Sequence, residues 1–90
     1  MNKDIYEIIS SLNKIYQVEE IRLTDKVNFI ISNKITDKNI IERTIDEIIS
    51  IPTTRASMLA SRLNNYYSNL DYESSKEYKK IIKITYGEDL

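Results

Sequence analysis

Apolar residues recur at helical spacing along almost the whole chain. Steps of three and four residues place these side chains on one side of a helix, which then packs that side against a core. The first stripe consists of Ile5, Ile8, Ile9, Leu12 and Ile15, and the second of Ile40, Ile41, Thr44, Ile45, Ile48 and Ile49. The third consists of Ala56, Leu59, Leu63, Tyr66, Tyr67 and Leu70, and the last of Tyr78, Ile81, Ile82 and Thr85. We therefore predict an all-α protein, an antiparallel four-helix bundle in which each helix packs one apolar face.

Residues with capping chemistry stand at the predicted helix ends. Thr36-Asp37 precedes the second stripe, and Thr53-Thr54 precedes the third. Pro52 lacks an amide donor and restricts the residue before it, so the second helix should end at this corner. For the last helix, Ser74-Ser75 with Glu77 resembles a capping box, and Gly87 is suited to the position just after the helix.

Residues 18–35 are ambiguous. Val27, Ile30 and Ile31 fit a helix capped by Thr24, which leaves open a fifth short helix over residues 24–35. Apolar residues also alternate along this segment, as a β-hairpin would require. The alternating positions are Ile21 and Leu23 before Thr24–Lys26, and Val27, Phe29 and Ile31 after it. We favour the helix, because the segment contains no glycine turn of the kind that short hairpins use.

The composition limits both size and partners. Ninety residues form one domain, with 13 basic and 14 acidic residues and a formal charge of −1. Such a balanced charge creates no global field for nucleic acid or membrane. No stretch is apolar enough for a membrane span, and acidic and polar residues interrupt the amino-terminal segment where a signal peptide would be apolar. We expect a soluble cytoplasmic protein.

Catalytic chemistry is poorly represented. The chain has no histidine or cysteine and only one glycine, so it lacks the commonest general base, thiolate chemistry and a phosphate-binding loop. Glu42 and Asp46 share a helical face, but this spacing is typical of a solvated helix surface. We predict no catalytic residue, no cofactor and no metal.

Two features suit binding. Lys76, Lys80 and Lys83 line one face of the last helix, which would allow peripheral contact with an anionic membrane. Tyrosines are frequent in the last third of the chain, and tyrosine is enriched at protein interfaces. A solvated bundle face and packing at the edge of the core are the ordinary alternatives for these two features.

The carboxy-terminal half contains a distinctive order of segments: the Ile51-Pro52 corner, hydroxyl residues after it, the Ser61-Arg62 pair, the basic segment Lys79–Ile84 and the Tyr86-Gly87 ending. In this order it resembles the immunity proteins of pediocin-like bacteriocins, the enterocin A and sakacin type. The resemblance covers residues from about 36 to 87. The chain departs from the pattern in its acidic ending and in the later position of Ser61-Arg62.

The resemblance implies a protein that protects a bacteriocin producer without catalysis. It would bind the bacteriocin-engaged mannose phosphotransferase receptor from the cytoplasmic side, at the inner face of the membrane, as a monomer or weak dimer. The implied partner or membrane contacts are Arg55, Arg62, Tyr66, Tyr67, Lys76, Lys80, Lys83 and Tyr86. Two alternatives remain open, a helical DNA-binding or regulatory domain and a small inhibitor of a host enzyme. The net charge disfavours nucleic acid.

Overall fold

The computed structural model describes residues 2–87, and it describes side chains from Asp4 onward. It contains α1 (Asn2–Ser32), α2 (Lys38–Ile49), α3 (Thr54–Tyr67) and α4 (Tyr72–Tyr86). Strands are absent from these residues. The connections are only four or five residues long, as is usual between antiparallel neighbours in a bundle. The predicted all-α four-helix bundle is confirmed.

Local capping chemistry explains where α2 and α3 begin. The Asp37 carboxylate accepts hydrogen bonds from the amides of Asn39 and Ile40, at 2.9 and 3.3 Å. The Thr53 hydroxyl accepts one from the Ala56 amide at 3.1 Å. These bonds satisfy amides that have no partner within the first turn of a helix, so both predicted starts are confirmed.

The predicted capping box of α4 is wrong. Helix α4 begins at Tyr72, and Asp71 is its N-cap, because the Asp71 carboxylate accepts from the Ser74 amide at 3.1 Å and from the Ser74 hydroxyl at 2.8 Å. Ser74 is thus a donor inside the first turn. At the other end, the Gly87 amide donates to the Lys83 carbonyl at 2.8 Å. The φ of Gly87 is 93°, a left-handed conformation that glycine adopts without steric cost.

Residues 18–32 belong to α1, so the hairpin and the separate fifth helix are both wrong. Thr24, read as a possible cap, lies inside the helix, and its hydroxyl donates to the Glu20 carbonyl at 2.6 Å. Leu23, Val27 and Ile30 follow each other at steps of four and three and are buried. This buried stripe against the rest of the bundle explains why the helix continues to Ser32.

Helix α3 is the centre of the bundle and packs against the other three helices. Helices α1 and α3 run in the same direction, since Glu20 contacts Thr53 at the start of α3 and Asn28 contacts Arg62 further along it. Helix α2 lies beside α1, where Glu47 pairs with both Arg22 and Lys26. The largest fully buried side chains, which form the centre of the core, are Tyr67, Leu23, Ile30, Ile41, Ile45, Ile48, Leu63, Val27 and Thr44. The core is thus built from the second half of α1 together with α2, α3 and the buried Ile82 of α4, and Tyr78 and Tyr86 of α4 pack against its edge.

The first apolar stripe lies outside this core, which corrects the expectation that it packs within the bundle. Ile5, Ile8, Ile9, Leu12 and Ile15 are all exposed. The bundle ends near Glu20, whose carboxylate accepts from the Thr53 hydroxyl at the α2–α3 corner. Residues 2–18, apart from Tyr16, which packs against the edge of the core, therefore continue past the bundle as a helix of about 25 Å, which we call the amino-terminal extension. The last predicted stripe is also narrower than expected, because Ile81 and Thr85 are exposed.

Candidate functional site

Helix α3 presents its one uncovered face to solvent. This face carries Arg55, Met58, Ser61, Arg62 and Asn65, which recur at steps of one, three and four residues and are all exposed. Met58 is 68% exposed, so its flexible thioether side chain is available to a partner. Two grooves flank this face, one toward α4 and one toward α1, and both are lined by Met58 and Arg62.

The groove between α3 and α4 has a volume of about 540 Å³ and is cationic. Arg62 contributes one positive charge from α3, and Lys79 and Lys83 contribute two from α4. Within the described part of the chain, no aspartate or glutamate lines this groove. The remaining lining residues are Ser57, Met58, Ser61, Asn64, Asn65, Ile82 and Gly87. Hydroxyl and amide groups beside three cations make a surface suited to carboxylates or backbone carbonyl groups of a partner.

A pair of buried polar residues, Asn64, which lines this groove, and Ser75, joins the two helices. The Asn64 amide Nδ2 donates to the Ser75 carbonyl at 3.0 Å, and the Ser75 hydroxyl donates to the Asn64 carbonyl at 3.2 Å. The Asn64 Oδ1 atom is buried and has no hydrogen-bond partner among the described residues. This pair was not predicted from the sequence, because a polar residue at a core-facing position interrupts the apolar pattern. Asn64 lies four residues after Ala60 and three before Tyr67, and this spacing could have indicated that it faces the core.

The groove between α1 and α3 is mixed in charge. It has a volume of about 970 Å³ and contains Glu20 and Asp25 from α1 opposite Arg55 and Arg62 from α3. The Arg62 guanidinium donates to the Asn28 side-chain oxygen at 2.6 Å, which holds this arginine between the two grooves. Arg55 therefore lies in a partly neutralised environment, whereas no carboxylate among residues 4–87 lines the groove that contains Lys79 and Lys83.

The predicted lysine face divides into two parts. Lys83 lines the cationic groove, whereas Lys76 and Lys80 form exposed ion pairs with Glu73 and Glu77, at 3.2 and 3.3 Å. The Lys76 ammonium also lies 5.0 Å from the centre of the Tyr72 ring. Exposed pairs one helical turn apart contribute little stability, so these two lysines are free to exchange partners.

The tyrosine candidates are mostly occupied inside the bundle. Tyr67 is completely buried and its hydroxyl donates to the Glu42 carboxylate, so it cannot contact a partner in the folded protein. Burial, together with the Glu42 hydrogen bond, raises the pKa of Tyr67 to about 12. The prediction that Tyr67 contacts a partner directly is therefore wrong. Tyr67 belongs to the apolar stripe of α3, and this stripe packs into the core.

Tyr66 and Tyr86 are half-buried, and their hydroxyls bind the main chain at helix ends. The Tyr66 hydroxyl donates to the Ile35 carbonyl at 2.7 Å. The Tyr86 hydroxyl lies 3.0 and 2.8 Å from the carbonyl oxygens of Ile48 and Ile51, at the end of α2. Burial raises the pKa of Tyr86. Their hydroxyls are therefore occupied within the fold, and only part of each half-buried side chain is available to a partner.

A scan of protein-family models, a search of curated proteins and a search of solved structures each find no match for this chain. None of the described helices combines the length and the apolar character needed to cross a membrane. The described residues also contain no group of three or more potential ligands for a metal ion.

Proposed function

We propose that this protein is a bacteriocin immunity protein that acts by binding and not by catalysis. Its partner would be a membrane receptor, the mannose phosphotransferase, once a pediocin-like bacteriocin has engaged it. Two observations support the proposal together: the order of segments between residues 36 and 87, and a four-helix bundle of the kind that the resemblance implies. The observation that carries the proposed mechanism is the cationic groove between α3 and α4.

The groove supplies the chemistry that such recognition needs. Arg62, Lys79 and Lys83 come from two helices that the Asn64–Ser75 hydrogen bonds hold together, so the spacing of these two helices is set before a partner arrives. A preformed charged surface limits the ordering that binding requires, and an exposed apolar side chain such as Met58 can serve as a central contact. Selectivity for one bacteriocin would follow from a few such contacts.

The test is protection of living cells. A sensitive Gram-positive strain that expresses the chain should survive one or a few pediocin-like bacteriocins and remain sensitive to the others. The double variant Arg62→Gln, Lys83→Gln should lose this protection, whereas Lys83→Arg should keep it because the charge is preserved. Arg43→Gln removes an exposed cation from α2 and is the matched control, which should protect as the parent does.

Each variant should first be shown by circular dichroism and thermal melting to fold as the parent does. The proposal fails if the folded parent protects against no member of a broad bacteriocin panel. It also fails if Arg43→Gln reduces protection as much as the groove variant does. Retention of the purified protein on DNA at about 0.15 M salt would instead favour the DNA-binding alternative, since such binding depends on phosphate contacts.

A further inference from the structure

The amino-terminal extension carries an apolar face that nothing in the described part of the chain covers. Its five aliphatic side chains, Ile5, Ile8, Ile9, Leu12 and Ile15, are between 45% and 60% exposed. The face is collinear with Leu23, Val27 and Ile30, which the bundle buries. The same helical stripe therefore packs a core in its second half and meets solvent in its first half.

The overall dimensions show how unusual this surface is for a monomer. The radius of gyration is 14.7 Å. A compact chain of this length has a radius of gyration of roughly 12 Å. A monomer of 10.6 kDa exposes roughly 5,500 Å², and this one exposes 6404 Å². The whole chain therefore exposes roughly 900 Å² more than a compact monomer of its mass. Each partner buries roughly 800 Å² in a stable protein interface, which is of the same order.

We propose that a second copy of this chain covers the face, through antiparallel pairing of the two amino-terminal extensions. A twofold pair requires a surface that matches itself, and a uniform row of isoleucine and leucine side chains does so. An anionic lipid surface suits this face less well, because residues 2–18 contain two lysines and two acidic residues and so carry no net positive charge. The inference does not depend on the proposed function.

The position of the bundle determines the orientation of the pair. Helices α2 and α3 cover the same side of α1 that bears the exposed stripe further toward the amino terminus. A parallel second copy would place its bundle in the volume that the first bundle occupies. An antiparallel copy avoids this clash, sets Ile9 beside Leu12 of the second copy, and leaves one bundle at each end of the paired extensions.

The test compares charge substitutions on opposite sides of one helix. Ile9→Lys places a charge inside the stripe. Val18→Lys is the matched control, because Val18 is also exposed, and nine residues at about 100° each place it about half a turn away. Sedimentation of the full chain from about 1 to 500 μM should show a concentration-dependent species of about twice the 10.6 kDa monomer mass. Ile9→Lys should raise the dimer dissociation constant at least tenfold, and Val18→Lys should leave it within twofold.

Small-angle X-ray scattering separates this pairing from others. One chain extends to 50 Å. The paired form should extend to roughly 80 Å, because two bundles flank the paired extensions. A compact dimer, a parent that remains monomeric over this range, or equal effects of the two substitutions would each overturn the proposal. Stripe-dependent binding of a monomeric parent to anionic vesicles would overturn it in favour of a lipid surface. Unchanged thermal melting of the bundle at low concentration would show that neither substitution acts through unfolding.

Discussion

Replacing Ile45 by alanine should show how much of the stability comes from the small core. Ile45 lies at the middle of α2 and has no exposed surface. Truncation of a buried isoleucine removes its transfer free energy and leaves a partly unfilled cavity, which together cost about 2–5 kcal/mol. Small domains are stabilised by only about 5–15 kcal/mol in total, so this single change removes a large fraction of the free energy of unfolding.

The matched substitution is Ile84→Ala on α4. Ile84 is 84% exposed, so this substitution deletes three carbon atoms that face solvent, whereas Ile45→Ala deletes the same three atoms from the core. The expected change is within about 0.5 kcal/mol, because alanine's higher helix propensity offsets the little packing that is lost. The difference between the two changes in unfolding free energy therefore measures the effect of burial, since both variants replace a helical isoleucine by alanine.

Urea unfolding followed by circular dichroism at 222 nm measures both variants. The Ile45 variant should have a lower midpoint with an unchanged slope, and for a loss of about 3 kcal/mol its melting temperature should fall by roughly 12–24 °C. The measurements belong at low protein concentration, where self-association contributes least. A loss below about 0.5 kcal/mol at Ile45, the range of ordinary surface substitutions, would refute the assignment of the core, as would equal losses at the two positions.

Three further outcomes are expected. The Asp71 carboxylate, held by the Ser74 amide and hydroxyl and by Lys38, has its pKa lowered to about 2. The stability advantage of the parent over Asp71→Asn should therefore be complete above about pH 4 and disappear toward about pH 2 in acid titrations of unfolding. Burial raises the pKa values of Tyr67 and Tyr78 to about 12, so part of the tyrosine absorbance at 295 nm should titrate late, and stability should fall between about pH 10 and 12. The double variant Lys76→Gln, Lys80→Gln should unfold within about 0.5 kcal/mol of the parent in urea, since its ion pairs are exposed; a larger loss would show that these pairs are structural.

Part of the candidate site was accessible from sequence and part was not. Arg62 and Lys83 were identified as candidates, and the structure brings both to one groove. Lys79 joins them because α4 is rotated about its axis so that Ile82 faces the core. The spacing of the apolar residues in α4 did not determine whether Ile81 or Ile82 would face inward. Met58 and the Asn64–Ser75 pair were missed, because neither an apolar residue on an outer face nor a polar residue on an inner face follows the pattern.

The sequence by itself determined the helical class, the boundaries at Asp37 and Thr53, and the glycine that ends α4. These depend on hydrogen bonds and backbone torsions within one turn, which involve neighbouring residues alone. The start of α4 is the exception, since the sequence pointed to Ser74 and the N-cap is Asp71. The tertiary structure decided which stripes are buried. Ile5–Ile15 and Ile41–Ile48 have the same periodicity, yet only the second is covered, because burial depends on whether another helix lies opposite. Periodicity reports that a face is suited to packing, and the three-dimensional arrangement determines what packs against it.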